Sequence, residues 1–290
     1  MNRQQRSWVL VAVLAGALAP GAAAQGRFTN ARAETRSAAQ GLEREVRAVA
    51  ARSGAAWIGY RVPMIPGPRQ MCCYDNISSN GGDCCGMCRL ENGGGVTMTT
   101  GDVAQRGSRI TLEPPTEFLV LARFENNAVT RVRTFTPDCD VDAGGMPIVW
   151  LTDVKPEESV AWLNSLDNKQ AVHAIAMHDT PSAITTLIKL ARENRDSRKR
   201  SDALFWLAQR AGREAVATIT DAIDNDPETD VKRKAVFALS QLPHDEGVPK
   251  LIEVARTHRN PEVRKQAFFW LGQTKDPRAI QFFEEILLKK

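Results

Sequence analysis

From Ala171 to Lys290 the apolar residues fall in a pattern that repeats four times at a spacing of 32 residues. The copies open Ala171-Val-His-Ala-Ile175, Ala203-Leu-Phe-Trp-Leu207, Ala235-Val-Phe-Ala-Leu239 and Ala267-Phe-Phe-Trp-Leu271. A second marker follows at Ala183, Ala215, Gly247 and Ala279, with Leu187, Ile219, Leu251 and Phe283 one turn beyond. Turn and capping residues lie between the markers: Asp179 to Ser182, Gly212, Pro243 to Gly247, and Asp276-Pro277. Each copy therefore predicts two short helices. Paired helices at a fixed period are the signature of a solenoid, because no single unit can cover its own apolar face.

Before the repeats the pattern changes. Leu42, Val46 and Val49 stand at helical spacing among Glu43, Arg44, Glu45 and Arg47, and predict one amphipathic helix within the polar stretch from Gly26 to about Ser53. Trp57 to Val62 reads as a strand that Pro63 and Pro66-Gly67-Pro68 end. Glu117 to Phe124 and Ala128 to Phe135 read as a hairpin across Glu125-Asn126-Asn127, and Pro147 to Leu151 as a further strand. In the first hairpin strand Phe118, Val120, Ala122 and Phe124 alternate with Leu119 and Leu121, which predicts cover on both faces. The second strand carries Arg131 and Arg133 on one face, as an edge in water or an anion site. Pro156 with Glu157 and Glu158 starts a helix through Val160, Leu163 and Leu166 that leads into the repeats.

The repeats resemble the HEAT repeat family, in its short bacterial form related to the repeats of phycobilin lyase subunits. The residues that carry the resemblance are Val263 to Gly272 with Asp276 to Ile280, and Val231 to Leu239 before Gly247 to Leu251. It covers residues 155–290. The first copy departs from it, since Asn168 stands where later copies carry a basic residue. The resemblance implies an armadillo-like helical scaffold for binding, and by itself no activity. A lyase or isomerase of the phycobilin type is implied by the resemblance alone. The glycosylases of DNA that share such repeats fit poorly with export and with the charge.

The first residues add a location. Arg3 and Arg6, an apolar run from Trp8 to Ala19, and Ala22-Ala23-Ala24 read as a bacterial-type secretory signal peptide over 1–24. The run is shorter than the roughly 20 residues of a membrane span. Its removal lowers the formal charge from +4 to about +2, too little to suggest nucleic acid. The expectation is an exported protein, periplasmic or secreted, with no membrane span after cleavage. It divides into a small cysteine-containing α/β domain over 25–153 and four HEAT-like repeats over 154–290.

Export changes what the cysteines imply. Cys72, Cys73, Cys84, Cys85, Cys88 and Cys139 are six, an even number. They fit zinc through Cys85-x-x-Cys88 and the Cys72-Cys73 pair, a redox pair at Cys85 and Cys88, or structural disulfides. Oxidising conditions favour disulfides, with Cys72 and Cys73 pairing forward and Cys139 anchoring the loop to the sheet. Asp138, Asp140 and Asp142 alternate like a calcium loop but lack its length and closing glutamate, and read as a turn.

In a solenoid equivalent residues form rows. One row is His173, Phe205, Phe237 and Phe269, and beside it run Ala174, Trp206, Ala238 and Trp270. The tryptophans suit the seam between units, and the phenylalanines suit either seam or partner surface. Arg200, Lys232 and Arg264 precede the opening alanines and are expected on loop carbonyls and acids such as Asp196 and Asp230. The second helices carry mixed charge: Lys189 and Arg192, Asp221 and Asp224, Lys250, Glu253 and Arg256, then Glu284 and Glu285. A mixed groove suits a protein or peptide. His173, His178, His244 and His258 are scattered, and neither a nucleophile elbow nor a phosphate loop is present. No cofactor or metal is expected. The expectation is a non-catalytic scaffold that binds a partner in the cell envelope through Phe205, Trp206, Phe237, Phe269, Trp270, Lys189, Arg192, Glu253 and Arg256. The alternative is a thiol-active protein that uses Cys85 and Cys88, with the repeats holding its client.

Overall fold

The computed structural model describes residues 26–52, 54–66, 88–91, 114–210 and 213–288. The signal-like segment and Cys72, Cys73, Cys84 and Cys85 lie outside the described residues, as does the side chain of Cys88. Strands β1 (Arg27–Thr29) and β2 (Arg32–Ser37) precede helix α1 (Leu42–Ala50). Then come β3 (Ala56–Pro63), β4 (Cys88–Arg89), β5 (Glu117–Glu125), β6 (Ala128–Phe135), β7 (Asp140–Asp142) and β8 (Pro147–Thr152). Helices follow to the end: α2 (Pro156–Ser165), α3 (Lys169–Met177), α4 (Pro181–Glu193), α5 (Ser197–Arg210), α6 (Arg213–Asn225), α7 (Thr229–Ser240), α8 (His244–Thr257), α9 (Pro261–Gln273) and α10 (Pro277–Leu288).

Five strands form a sheet in the order β2-β8-β3-β5-β6. The hairpin β5–β6 turns through Asn126 and Asn127, both at positive φ (51° and 62°), as a two-residue turn between twisted strands requires. Alternation in β3 and β5 puts Ile58, Tyr60, Val62, Phe118, Val120 and Phe124 on one face, and Trp57, Leu119 and Leu121 on the other, all buried. The first face packs on α1, α2 and α3. The second is covered by a small parallel sheet β1-β7-β4, through Leu90, Val141 and Phe28. Both faces are thus apolar, as the alternation predicts. Gly59 lies on the second face, where an added Cβ would meet Leu121 Cδ2 at 2.6 Å.

One expectation is corrected. The stretch before Ser53 is not a single helix, because β1 and β2 come before α1. β2 lies at a sheet edge, paired in parallel with β8 from Arg32–Pro147 to Ser37–Thr152. Its side chains face outward and its ladder bonds alone define it, so no apolar alternation marks it. Helix α1 starts at Gly41, whose φ of 110° suits glycine, and Glu158 of α2 accepts from Leu42 N at 2.8 Å.

The helices pair as α3/α4, α5/α6, α7/α8 and α9/α10, with α2 in front. All four opening alanines and all four second markers are buried. Small residues are needed at the second marker because helices approach closely there. At Gly247 a Cβ would come within 2.6 Å of Leu239 O, so this unit takes glycine where the others take alanine. Asn168, the departure in the first copy, caps α3 by accepting from Gln170 N at 2.9 Å.

The repeats and the sheet share one core, which runs from Ala38 to Phe282. They also share backbone bonds. Beyond β3, Met64 bridges to His178, Ile65 N donates to Met177 O, and Asp179 N donates to Pro63 O, both at 3.0 Å. The loop between α3 and α4 thus acts as a short extra strand at the end of β3.

Candidate functional site

The aromatic row forms a ladder along the first helices of the units. From His173 the rings step to Trp206 (4.7 Å between centroids), Phe205 (5.0 Å), Phe237 (5.9 Å, interplanar angle 8°), Trp270 (4.8 Å) and Phe269 (5.0 Å). Such spacings are those of favourable ring pairs. The two tryptophans lie partly buried against the core, as expected of seam residues. Phe205 and Phe237 are half-buried and Phe269 is 53% exposed, so the row is neither interior nor free surface. Its first member, His173, stands 3.4 Å from Thr134 on β6, so the ladder begins at the sheet edge and crosses every unit.

The basic row closes helix ends. Arg200 donates to Asn194 O and Arg195 O, Lys232 to Ile223 O and Asp224 O, and Arg264 to His258 O and Arg259 O. Each cation therefore sits on the carbonyl end of a second helix or the loop after it, where the dipole favours it. Arg200 also takes a two-pronged grip on Asp226, at 2.7 and 3.0 Å, and both side chains are buried. The acid is Asp226, not Asp196 or Asp230.

The mixed charges of the second helices are partly spent on each other. Arg192 pairs with Asp221 of the next unit at 3.9 Å, Arg256 with Glu285, and Lys250 with Glu253 at 2.7 Å. Lys189, Asp224 and Glu284 make no ion pair among the described residues. The candidate partner residues thus fall into two separate groups, rings on the first helices and charges on the second.

Two polar groupings were not foreseen. Tyr60, Ser159 and His178 form a buried chain: the Tyr60 hydroxyl and Ser159 Oγ are 2.8 Å apart, Ser159 Oγ and His178 Nε2 2.8 Å, and His178 Nδ1 donates to Ala174 O at 2.7 Å. A carbonyl can only accept, so Nδ1 carries the proton, Nε2 accepts from Ser159, and Ser159 accepts from Tyr60. Burial is the main cause that lowers the His178 pKa to about 4; Arg210 adds to it, while the Ala174 bond and Glu157 oppose it. Burial also raises the Tyr60 pKa. The chain joins β3, α2 and the α3–α4 loop. Tyr60 is 99 residues from Ser159 in sequence and Ser159 is 19 from His178, which hides the chain from spacing.

The other grouping is Glu91, just beyond the cysteine segment. It accepts from Trp57 Nε1 at 2.6 Å and from Arg123 Nε at 3.0 and 3.2 Å. Burial raises its pKa, but the bonds from Arg123 and Trp57 outweigh that and hold it below the ordinary range. Arg131 donates to Leu90 O and Glu91 O, so it serves this anchor. Cys139 is buried in the second core, with Thr136 Oγ1 3.3 Å from its sulfur. Asp140 and Asp142 lie on β7 rather than in the expected turn, because they pair with β1, and Asp142 accepts from Gly144 N and Asn30 Nδ2. Among the described residues no cluster of His, Cys, Asp or Glu is placed to hold a metal, and no helix is long and apolar enough to cross a membrane.

Paired helices in register, small residues at the closest approaches and a cation on each loop define a helical-repeat scaffold. Residues 216–290 match the family model of HEAT repeats. The family match does not extend to the sheet-containing half. A solved structure, the complex of CpcE and CpcF of phycocyanin lyase from Nostoc sp. PCC7120, is similar at 16% identity over 47% of this chain and 89% of that chain, with a TM-score of 0.30. No curated protein matches the chain. The solved neighbour is described as a lyase, which corrects the expectation that the chain is not an enzyme; that expectation does not stand.

Proposed function

We propose that this is an exported protein of the cell envelope whose HEAT array holds a protein partner along the aromatic ladder. The observation that carries the reading is the ladder itself: ring contacts that cross all four units and stay half open to solvent, ending at the exposed Phe269. Rings seated in this way offer apolar area with little entropy left to lose on binding. The signal-like first 24 residues support export, and the even number of cysteines supports disulfides that tie down the loop-rich segment.

The test is the variant Phe205→Ser with Phe237→Ser and Phe269→Ser, compared with the parent for thermal unfolding and for crosslinked partners recovered from envelope extracts. A folded variant that no longer recovers the partners supports the ladder as the binding surface. A variant that fails to fold assigns the ring row to the core and removes the proposal. Intact mass of the exported chain checks the location: mass corresponding to 25–290, lowered by six hydrogens and unreactive to alkylation, is expected for cleavage and three bridges.

A further inference from the structure

The first helices carry two further rows beside the ladder, one on each side. One helical turn before the rings stand Lys169 for His173, Arg233 and Lys234 for Phe237, and Lys265 for Phe269, all exposed. One turn after the rings stand Gln209, Gln241 and Gln273, also exposed. The second unit interrupts the basic row, since Ser201 and Asp202 precede Phe205 and the cation Arg198 comes a turn earlier. The rings therefore run between cations on one side and side-chain amides on the other.

The fold does not use these cations. Arg200, Lys232 and Arg264 on the same helices hold loop carbonyls, but Lys169, Arg198, Lys234 and Lys265 make no ion pair among the described residues. Arg233 pairs with Asp230 at 3.4 Å. Asp202 lies in the fields of Lys234 and Lys169 without an ion pair to either, and Glu262 makes none. Five exposed cations thus stand beside three acids, whereas on the second helices charges cancel between units, as Arg192 does with Asp221. The amide row is open as well. Gln209 and Gln273 make no side-chain bond among the described residues, and Gln241 uses only Nε2, on Ser240 Oγ at 3.1 Å.

We infer that the partner presents an extended acidic segment to the ladder, with apolar side chains on the rings, carboxylates on the lysine side and main-chain groups on the glutamine side. Charge complementarity selects an acidic occupant, since a basic one is repelled by the row and a neutral one gains nothing from it. The glutamines select an extended one. Each amide offers a donor and an acceptor, and a chain in extended conformation leaves its own N–H and C=O groups free to meet them, whereas a helix has already paired its own. The inference rests on the reading of the ladder as a partner surface and adds the chemistry of what it holds.

The test is fluorescence anisotropy of the full chain with three labelled peptides, built of Leu-Pro-Glu, Leu-Pro-Gln or Leu-Pro-Lys repeated four times, in which proline keeps the chain extended. The glutamate peptide should bind about tenfold more tightly than the glutamine peptide at about 50 mM salt, and should lose most of that advantage at about 500 mM. Lys234→Glu with Lys265→Glu changes only exposed side chains, so the melting temperature should hold while the preference turns to the lysine peptide. Phe269→Ser, at an exposed ring, should weaken the glutamate and glutamine peptides alike. A parent without preference for glutamate, or a preference that survives the lysine reversals, overturns the inference. So does glutamate-peptide binding that Phe269→Ser leaves untouched, because the acidic site then lies off the rings. Tighter binding of oligodeoxythymidine than of the glutamate peptide overturns it in favour of a nucleic acid. Envelope partners lost by the ring variant but kept by the lysine variant would leave the ladder as a partner surface and remove the acidic segment. Partners kept by the ring variant would remove the ladder reading itself.

Discussion

The buried Tyr60–Ser159–His178 chain predicts a specific loss of stability in mild acid. Every donor in the chain has an acceptor only while His178 is neutral, and burial holds its pKa at about 4 against 6.5 for the free side chain. Above about pH 6.5 neither the folded nor the unfolded histidine is charged, and the full stabilisation is present. Between about 6.5 and about 4 the unfolded chain binds a proton that the folded chain does not, so stability falls as the pH falls. At 1.36 kcal/mol per unit the loss reaches about 3 kcal/mol by about pH 4, and below that both forms are charged and the slope ends. Carboxylates titrate over the same range, so the assay is a difference: urea unfolding of the parent and of His178→Gln at steps from about pH 7.5 to 4. The stability advantage of the parent should shrink by about 3 kcal/mol over that range. An advantage that stays constant with pH would refute the reasoning, since it would mean that the folded and unfolded histidines titrate alike.

Other substitutions probe the same architecture. Ser159→Ala leaves the Tyr60 hydroxyl and His178 Nε2 buried without partners and should cost about 2–5 kcal/mol in chemical unfolding. Asp226→Ala strands the buried guanidinium of Arg200 and should cost about 3–5 kcal/mol, whereas Glu253→Ala, an exposed pair, should change the same measurement by less than about 1 kcal/mol. Gly247→Ala puts a methyl group 2.6 Å from Leu239 O and should lower the melting temperature, with a cost of about 1–3 kcal/mol, although alanine is the residue that the other three units carry there.

The repeat half was legible because its signal is periodic. Opening alanines 32 residues apart give the helices, their pairing and the small residues at the seams without reference to any distant contact. The basic row was legible for the same reason, since one physical task recurs at Arg200, Lys232 and Arg264. What the period could not supply is the identity of a unique partner: Asp226 meets Arg200 because the loop after α6 folds back, and Asp196 and Asp230 looked as suitable. β2 escaped because an edge strand with outward side chains has no core face to leave in the sequence. The Tyr60–Ser159–His178 chain escaped because its members are brought together only when sheet and solenoid dock. For the candidate surface, spacing could place the rings in one row but not fix their depth, which depends on how closely neighbouring first helices approach.

The backbone bridge between the end of β3 and the α3–α4 loop makes the array polar in a kinetic sense. A free stack of equivalent units frays from both tips. Here the first unit is riveted to a sheet by main-chain bonds from Met64, Ile65 and Pro63. Opening should therefore reach α3 after the units that are held by stacking alone, and amide hydrogen exchange should be slower in the first unit than in the second and third.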